Sequence, residues 1–242
     1  MARGHVDWGQ GQAIETIHTI SDVGEIVYRL GGMISNSRSG NAVFIADFSD
    51  GIEAWIQTVS AATSYIKAMV SNILTGGASA LLHAHSLAGS YAILGKRITL
   101  PDYNRVGLEL YFRQISTGYI DIIDLYHVDG STSAWARVRL DWVNLKVQII
   151  DATLGTVNVG SITSSFRTLN TYHNLKLVVD FDTNTYRYLI LDERRFDLTD
   201  YSLSVAGSSD CANLQMNISA YGDAAKVDEL MVDNIIVTIN EP

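Results

Sequence analysis

The sequence predicts an all-β protein built as an antiparallel β-sandwich, and two segments support this prediction most strongly. In residues 173–191, Leu175, Leu177 and Val179 alternate with other side chains, a polar turn follows, and a second alternating run returns through aromatic residues. Residues 231–239 form another run rich in β-branched side chains. Such period-two patterning, interrupted by Asp, Thr and Asn, is typical of paired antiparallel strands.

Similar runs recur along most of the chain, with turn residues between them. The predicted strands are residues 42–48, 53–59, 79–87, 90–99, 106–115, 119–128, 134–141, 143–151, 173–182, 185–192, 213–220 and 231–239. Residues 61–74 are compatible with either a helix or a strand. Many short strands without helical crossovers favour antiparallel pairing in a sandwich or a barrel.

The first 38 residues differ from the rest and are interpreted as an N-terminal, partly helical arm with a linker, whereas residues 39–242 form the sandwich. Apolar residues in the arm recur at spacings of three and four, which predicts an amphipathic helix over about residues 12–30. We expect this apolar face to be buried, either against the protein's own sandwich or against another subunit. The candidate partner-docking residues are Ile14, Ile17, Ile20, Val23, Ile26, Val27 and Leu30.

Composition excludes several classes of function. Of the 242 residues, 47% are hydrophobic and 18% are charged, which suits a large core and opposes disorder. The net charge of −9 opposes general binding of nucleic acid or of an anionic membrane. No segment has the pattern of a signal peptide or a membrane span. We therefore expect a protein that is made in the cytoplasm, and a virus particle is one destination consistent with this.

Three segments resemble concanavalin-like jelly rolls of the laminin-G and carbohydrate-binding-module type. Residues 40–55 (GNAVFIADFSDGIEAW) are similar to the first strand of that fold, and residues 173–198 are similar to one of its hairpins. The run VDNIIVT near the end is similar to the closing strand, which pairs beside the first. The resemblance covers about residues 40–240. It implies a jelly-roll sandwich, a fold that is used by lectins, hydrolases and structural proteins alike.

A narrower resemblance concerns the front and the end of the chain. The run RLGGMISNSRSGNAVFIADFSDGIEAW and the closing DNIIVTINEP resemble virion-associated jelly-roll proteins of tailed phages, which combine an N-terminal arm with a sandwich. This resemblance implies a non-enzymatic component of the particle surface, such as a head decoration. Its partners are then a major capsid protein or another virion protein, and further copies of itself in a homo-oligomer such as a trimer.

Aromatic residues suggest an alternative function, namely glycan binding. Sugars stack on exposed Trp and Tyr side chains, and several aromatics fall on strands that are candidates for the concave sheet. The candidate glycan-binding residues are Trp135, Trp142 and Tyr126, with Tyr111 and Tyr119 nearby in the same predicted sheet. Burial in the core is the competing interpretation, because most aromatics of a sandwich are buried.

A glycoside hydrolase is a third interpretation, but the sequence has no clear catalytic pair. Hydrolases of this fold carry acidic residues in an E-x-D-x-(x)-E string on one strand, so that the carboxyl groups share a face. No such string occurs here, and Glu109 is isolated. Asp121 and Asp124 lie three residues apart, so a regular strand points them to opposite faces. We therefore expect no enzymatic activity and no catalytic residue.

Two arginines share one predicted strand face. Arg137 and Arg139 are separated by a single residue. Ion pairs with Asp121 or Asp141 and binding of an anion are two interpretations, and a solvated polar strand face is the default one.

The resemblance to concanavalin-like sandwiches also implies a candidate structural calcium site where the first and last strands meet. The matching positions are Asp47, Asp50 and Asp233, whose carboxylates are the hard oxygen ligands that calcium prefers. The competing interpretation is purely structural. Asp50 begins a turn at Gly51, and Asp233 lies at a bulge. No other cofactor is expected.

Overall fold

The computed structural model of the protein describes residues 40–71, 73–74, 77–99, 104–116, 120–162 and 171–242. In these ranges the chain forms sixteen β-strands and no helix, and every strand pair is antiparallel. Two sheets result, which we call sheet 1 and sheet 2. The predicted all-β antiparallel sandwich is therefore confirmed. A helix of the length and hydrophobicity needed to cross a bilayer does not occur in the described part of the chain.

Sheet 1 contains the first and the last strand of the described chain. Its members are β1 (Asn41–Ala46), β3 (Tyr65–Met69), β4 (Ser79–Ala84), β6 (Arg105–Gln114), β11 (His173–Asp180), β12 (Thr185–Leu191), β13 (Arg194–Asp197) and β16 (Asp228–Ile239). The strands follow the order β13-β12-β11-β6-β16-β4-β3, and β1 pairs with β16. The long strand β16 thus contacts β4 along one half and β1 along the other.

Sheet 2 also has eight strands. They are β2 (Ile56–Val59), β5 (Tyr91–Ile98), β7 (Ile120–Val128), β8 (Thr132–Asp141), β9 (Lys146–Ile150), β10 (Thr156–Ser161), β14 (Ser204–Gly207) and β15 (Asn213–Tyr221). The order is β10-β9-β8-β7-β15-β5-β2, and β14 pairs with β8. The late strand β15 therefore inserts between β5 and β7, which are close in sequence.

The core lies between the two sheets and follows the alternation of each strand. In sheet 1, Leu108, Leu110 and Phe112 of β6 point inward, and in sheet 2 Ile123 and Leu125 of β7 do so. All five are almost completely buried. Burying an aliphatic or aromatic side chain of this size contributes about 1.5–3 kcal/mol relative to leaving it in water. The alternating pattern of the sequence therefore specifies which face of each strand meets the opposite sheet.

The outward faces of the two sheets differ. On sheet 1, Glu109, Lys176 and Ile236 are each only 1% exposed, and Asp233 is fully buried. Lys176 forms an ion pair with Glu241 at 2.8 Å, so the charge of this buried ammonium is balanced. A ligand in solution therefore has little access to these side chains. Sheet 2 instead carries a series of partly exposed side chains along the outward faces of β8 and β15.

The structure confirms the segments that predicted the fold. The hairpin expected over residues 173–191 is formed by β11 and β12, with Leu175 opposite Leu191 and Asp180 opposite Thr185. The closing strand β16 pairs beside β1, as the resemblance implied. The ambiguous segment over residues 61–74 contains the strand β3. The sequence patterns did not predict β10, β13 or β14 as strands.

The N-terminal arm, its predicted helix and its seven apolar docking positions fall within residues 1–38, outside the described residues. The division into an arm and a sandwich therefore stays a prediction.

Candidate functional site

Four side chains form a straight row across the outward face of sheet 2. Trp135 of β8 lies opposite Tyr126 of β7, Tyr126 lies opposite Gln215 of β15, and Gln215 lies opposite Arg97 of β5. We call these four residues the aromatic row. Side chains that face one another directly on adjacent antiparallel strands have Cβ atoms about 4.5–5.5 Å apart. Trp135 and Tyr126 are therefore direct cross-strand neighbours on the outward face of sheet 2.

A second row runs beside the first, one step further along each strand. It consists of Arg137 of β8, Asp124 of β7, Asn217 of β15 and Gly95 of β5, again as direct cross-strand neighbours. We call these residues the polar row. Side chains two residues apart on a strand share a face, so both rows point outward from sheet 2. Together they place apolar and polar groups side by side on an accessible face.

An ion pair fixes the polar row at its β8 end. Arg137 donates from Nε and Nη2 to the two carboxylate oxygens of Asp124, at 2.6 and 2.9 Å. Such a two-point contact is stronger and more directional than a single hydrogen bond. Burial opposes the positive charge of Arg137, but the hydrogen bond and charge of Asp124 outweigh burial and raise the pKa of the guanidinium. Arg137 therefore stays positively charged in the site.

The same pair also positions the main aromatic residue of the site. The indole Nε1 of Trp135 donates to Oδ1 of Asp124 at 3.2 Å, and the guanidinium of Arg137 lies 4.3 Å from the centre of the Trp135 ring. Arginine stacked on an indole gains a cation–π attraction of about 0.5–2 kcal/mol. Trp135 is thus held in one orientation before any ligand arrives.

A relay of amide hydrogen bonds orders the other end of the two rows. Arg97 donates from Nε to Oε1 of Gln215 at 2.9 Å, and Gln215 donates from Nε2 to Oδ1 of Asn217 at 3.0 Å. The amide of Asn217 lies close over Gly95, where an added Cβ atom would come within 2.7 Å of Oδ1. The Nδ2 donors of Asn217 have no hydrogen-bond partner among the described residues and are available to a ligand.

A shallow depression of about 280 Å³ opens between the two rows. It is lined by Asp124, Tyr126, Trp135, Arg137, Gln215 and Asn217. Its chemistry combines an aromatic surface with donors from the amides and guanidinium and with acceptors from carboxylate and amide oxygens. Ligand sites commonly have this composition, since the apolar surface supplies contact area and a few fixed polar groups supply orientation.

The structure brings together two of the three aromatic residues that the sequence singled out. Trp135 and Tyr126 meet as a cross-strand pair, whereas Trp142 is completely buried and the prediction for it is wrong. Trp142 follows β8, packs 6.4 Å from Phe112 and donates its indole NH to Asp121 at 2.6 Å. It is part of the core, so a sugar has no access to its ring.

The other two tyrosines do not contribute to this face. Tyr111 lies on β6 of sheet 1 and is only 7% exposed, so its expected place in the same sheet as Trp135 is wrong. Desolvation, followed by the negative charges of Glu109 and Asp192, raises the pKa of its hydroxyl. Tyr119 lies outside the described residues.

Four residues of the site were missed by sequence reasoning, namely Arg97, Asp124, Gln215 and Asn217. Alternation shows that Gln215 and Asn217 share one face of β15, but not that β15 lies between β5 and β7. Asp124 was predicted to point away from Asp121, which the structure confirms, since Asp121 bonds to the core residue Trp142. The partner of Arg137 proved to be Asp124 rather than Asp121 or Asp141.

The candidate calcium site is not assembled. In the described part of the chain, no three His, Cys, Asp or Glu side chains are placed to hold a metal ion together. Asp47 instead accepts hydrogen bonds from the amide and hydroxyl of Ser49. The carboxylate of Asp233 is bound by the amides of Leu74 and Asn234, at 2.8 Å each. The structural interpretation of these aspartates therefore explains them, and Asp50 is an exposed turn residue.

No protein-family model matches the chain, and no curated protein sequence matches it. Solved structures do match. The lectin I-B4 of Griffonia simplicifolia superposes over 82% of this chain and 100% of the lectin, with 13% identity and a TM-score of 0.52. A carbohydrate esterase of the Shiga toxin-encoding bacteriophage phi24B superposes over 84% of this chain and 100% of the esterase, with 12% identity and a TM-score of 0.54.

A protein described as a sialidase matches 84% of this chain with 11% identity and a TM-score of 0.50. The chain spans 19% of that sialidase. At such identities, these similarities show the fold alone. They confirm the predicted concanavalin-like jelly-roll sandwich.

Proposed function

We propose that the protein binds a glycan on the outward face of sheet 2, with a sugar ring lying over Trp135 and Tyr126. The observation that carries this proposal is the cross-strand pair of these aromatics beside a polar row held by hydrogen bonds. The apolar face of a sugar ring packs on aromatic side chains, while its hydroxyl groups require both donors and acceptors. Asp124 supplies acceptors, and Asn217 and Arg137 supply donors.

The proposed role is binding without catalysis. Among the described residues that line the depression, Asp124 is the one carboxylate, and it is engaged by Arg137 and Trp135. Glycoside hydrolysis generally uses two carboxyl groups, about 5–9.5 Å apart. Glu109, the isolated acid noted in the sequence, lies on the buried outward face of sheet 1, where it accepts a hydrogen bond from Asn174. These observations support a lectin-like function.

The test is a glycan array probed with the full chain and with two matched aromatic variants. We expect Trp135→Ala to lose at least about tenfold in affinity for any glycan that the unchanged protein binds, which corresponds to 1.4 kcal/mol of contact energy. Tyr65→Ala serves as the control, since Tyr65 is an exposed aromatic on the other sheet. Glycan binding that Trp135→Ala leaves unchanged would contradict the proposal.

We further propose that the protein is a component of a phage particle surface, attached to a capsid or other virion protein through residues 1–38. This proposal is supported by the helical spacing of apolar residues in the arm. Apolar side chains gain about 25 cal/mol per Å² when they are covered, which favours contact with a neighbouring subunit. An attached arm and an outward-facing sandwich are compatible with glycan binding at the particle surface.

Removal of the arm tests the second proposal. We expect the full chain to form a homo-oligomer, such as a trimer, and a chain lacking residues 1–31 to sediment as a folded monomer. Circular dichroism of the truncated chain checks that the β-sandwich persists. A truncated chain that assembles like the full one contradicts attachment through the arm.

A further inference from the structure

The central strands of sheet 2 carry a small excess of positive charge on their outward face, although the chain as a whole has a net charge of −9. On the central strands β5, β7, β8 and β15, the outward positions carry three arginines and two aspartates. They are Arg97, Arg137 and Arg139 against Asp124 and Asp141. The candidate site therefore lies among outward positions that carry one more positive than negative charge.

Arg97 is the exposed guanidinium at the end of the aromatic row. Its Nε is held by Oε1 of Gln215, which fixes the plane of the group. No carboxylate forms an ion pair with Arg97 among the described residues, so the two Nη atoms remain available. Such a planar fork matches the two oxygens of a carboxylate or a sulfate.

Arg139 is also incompletely neutralised. Its Nη2 lies 3.8 Å from Oδ2 of Asp141, beyond hydrogen-bond distance. Both oxygens of Asp141 already accept hydrogen bonds, Oδ1 from the amides of Val143 and Asn144 and Oδ2 from Nδ2 of Asn144. The Nε of Arg139 is buried and has no partner among the described residues. Of the three arginines, Arg137 alone has a two-point carboxylate partner.

We propose that the glycan bound by this face is anionic, and that Arg97 binds a carboxylate or sulfate group of the oligosaccharide whose ring lies over Trp135 and Tyr126. This inference rests on the proposed glycan-binding function. Arg97 and Trp135 belong to one registered row and are separated by three strand spacings, about 14 Å. A short oligosaccharide that crosses the strands along this row contacts the aromatic pair at one end and the guanidinium at the other.

Charge and geometry favour an acidic ligand over a neutral one. A hydroxyl group of a neutral sugar accepts a hydrogen bond from a guanidinium but leaves its charge without a counterion, whereas a carboxylate or sulfate also pairs with that charge and forms the stronger, charge-assisted contact. Gln215 lines the depression and accepts a hydrogen bond from Nε of Arg97. The guanidinium of Arg97 is therefore held next to the candidate site. Positive charge on this face also attracts an anionic chain that the rest of the protein repels.

The experiment is an array of matched pairs, in which each uronate or sialate oligosaccharide stands beside its carboxyl-reduced form and each sulfated oligosaccharide beside its desulfated form. The full chain is compared with Arg97→Gln and with Lys67→Gln, which removes one positive charge from an exposed position on sheet 1. We expect the acidic member of a pair to bind about tenfold or more tightly than its neutral form. Arg97→Gln should abolish this preference, and Lys67→Gln should retain it. The pair that shows the preference distinguishes a carboxylate ligand from a sulfate ligand.

The outcomes separate this inference from the proposed function. Equal binding of acidic and neutral members, lost in Trp135→Ala, overturns the anionic preference and leaves glycan binding intact. A preference that survives Arg97→Gln also overturns the role of Arg97. Absence of binding to every member of the array overturns the proposed function itself.

Discussion

Arg137 of β8 donates hydrogen bonds to both carboxylate oxygens of Asp124, its direct cross-strand neighbour on β7, at 2.6 and 2.9 Å. The same two side chains hold Trp135, one by a hydrogen bond to its indole and the other by stacking on its ring. The orientation of Trp135 therefore depends on the ion pair beside it. Preorganisation of this kind reduces the conformational entropy that the side chain loses when a ligand binds.

Asp124→Asn tests this dependence. The asparagine keeps one acceptor but removes the charge, which leaves the partly buried Arg137 without its carboxylate. We expect glycan affinity to fall at least about tenfold and the free energy of unfolding to fall by about 1–3 kcal/mol. Calorimetric titration and urea denaturation measure the two quantities. Asp200→Asn, at an exposed turn, is the matched control and should change neither.

Gly95→Ala tests the amide relay without touching an aromatic or charged residue. The new methyl group would lie within 2.7 Å of Oδ1 of Asn217, so the amide must move away. We expect weaker glycan binding with little loss of stability, because the displaced atom is the end of a flexible side chain. Gly207→Ala serves as the control, since nothing lies within 4 Å of its added Cβ atom. If Gly95→Ala binds glycan with unchanged affinity, the proposed contact between Asn217 and the ligand is wrong.

Trp142→Ala distinguishes a core residue from a binding residue. It removes a fully buried side chain and leaves Oδ2 of Asp121 without its indole donor. We expect the free energy of unfolding to fall by about 3–5 kcal/mol, which is typical of truncating a buried aromatic residue. The molecules that remain folded should bind glycan with unchanged affinity. A stable variant with weakened binding contradicts the core assignment.

A buried pair of acidic side chains connects the two sheets at the start of β7 and β16. Asp121 and Asp228 are both fully buried, and Asp228 accepts hydrogen bonds from Gln114 and from the amide of Tyr221. Oδ1 of Asp121 has no donor among the described residues. Burial, followed by the charge of Asp228, raises the pKa of Asp121 well above its ordinary value. A proton on Asp121 would relieve the repulsion between the two buried carboxyl groups, which agrees with the raised pKa.

The raised pKa of Asp121 predicts how stability changes with pH. The folded protein retains a proton that the unfolded chain releases near pH 4, so the free energy of unfolding decreases as the pH rises from about 4 towards the folded pKa. Asp121→Asn mimics the protonated acid and removes this contribution. We expect both proteins to have similar stability near pH 4, and the variant to be the more stable one at pH 8. Urea denaturation at pH 4, 6 and 8 measures the difference, and parallel curves contradict the assignment.

The sequence predicted the positions of the strands better than the order in which the strands pair. Alternation located β11, β12 and β16, because a buried face imposes a period of two. It missed β10 and β14, which contain Gly160 and Gly207, and the four-residue strand β13, whose charged residues give no apolar alternation. The site depends on the register between β15 and β7, which comes from long-range pairing that no local pattern contains.

The end of strand β8 explains the wrong prediction for Trp142. Trp135 lies on the outward face of β8, whereas Trp142 is the first residue after that strand and is buried in the core. Continuing the alternation of β8 by one residue also places Trp142 on the face opposite to Trp135, because the two are seven residues apart. The sequence alone did not indicate which of the two faces the core, because that depends on the side on which the opposite sheet packs.

The most direct test of glycan binding at Trp135 is an NMR titration of the ¹⁵N-labelled full chain with the tightest-binding oligosaccharide of the array. The indole NH signals report on each tryptophan separately. We expect the Trp135 signal to shift in proportion to saturation, while the signals of the buried Trp55 and Trp142 stay in place. Saturable binding with an unmoved Trp135 signal would show that the glycan binds elsewhere.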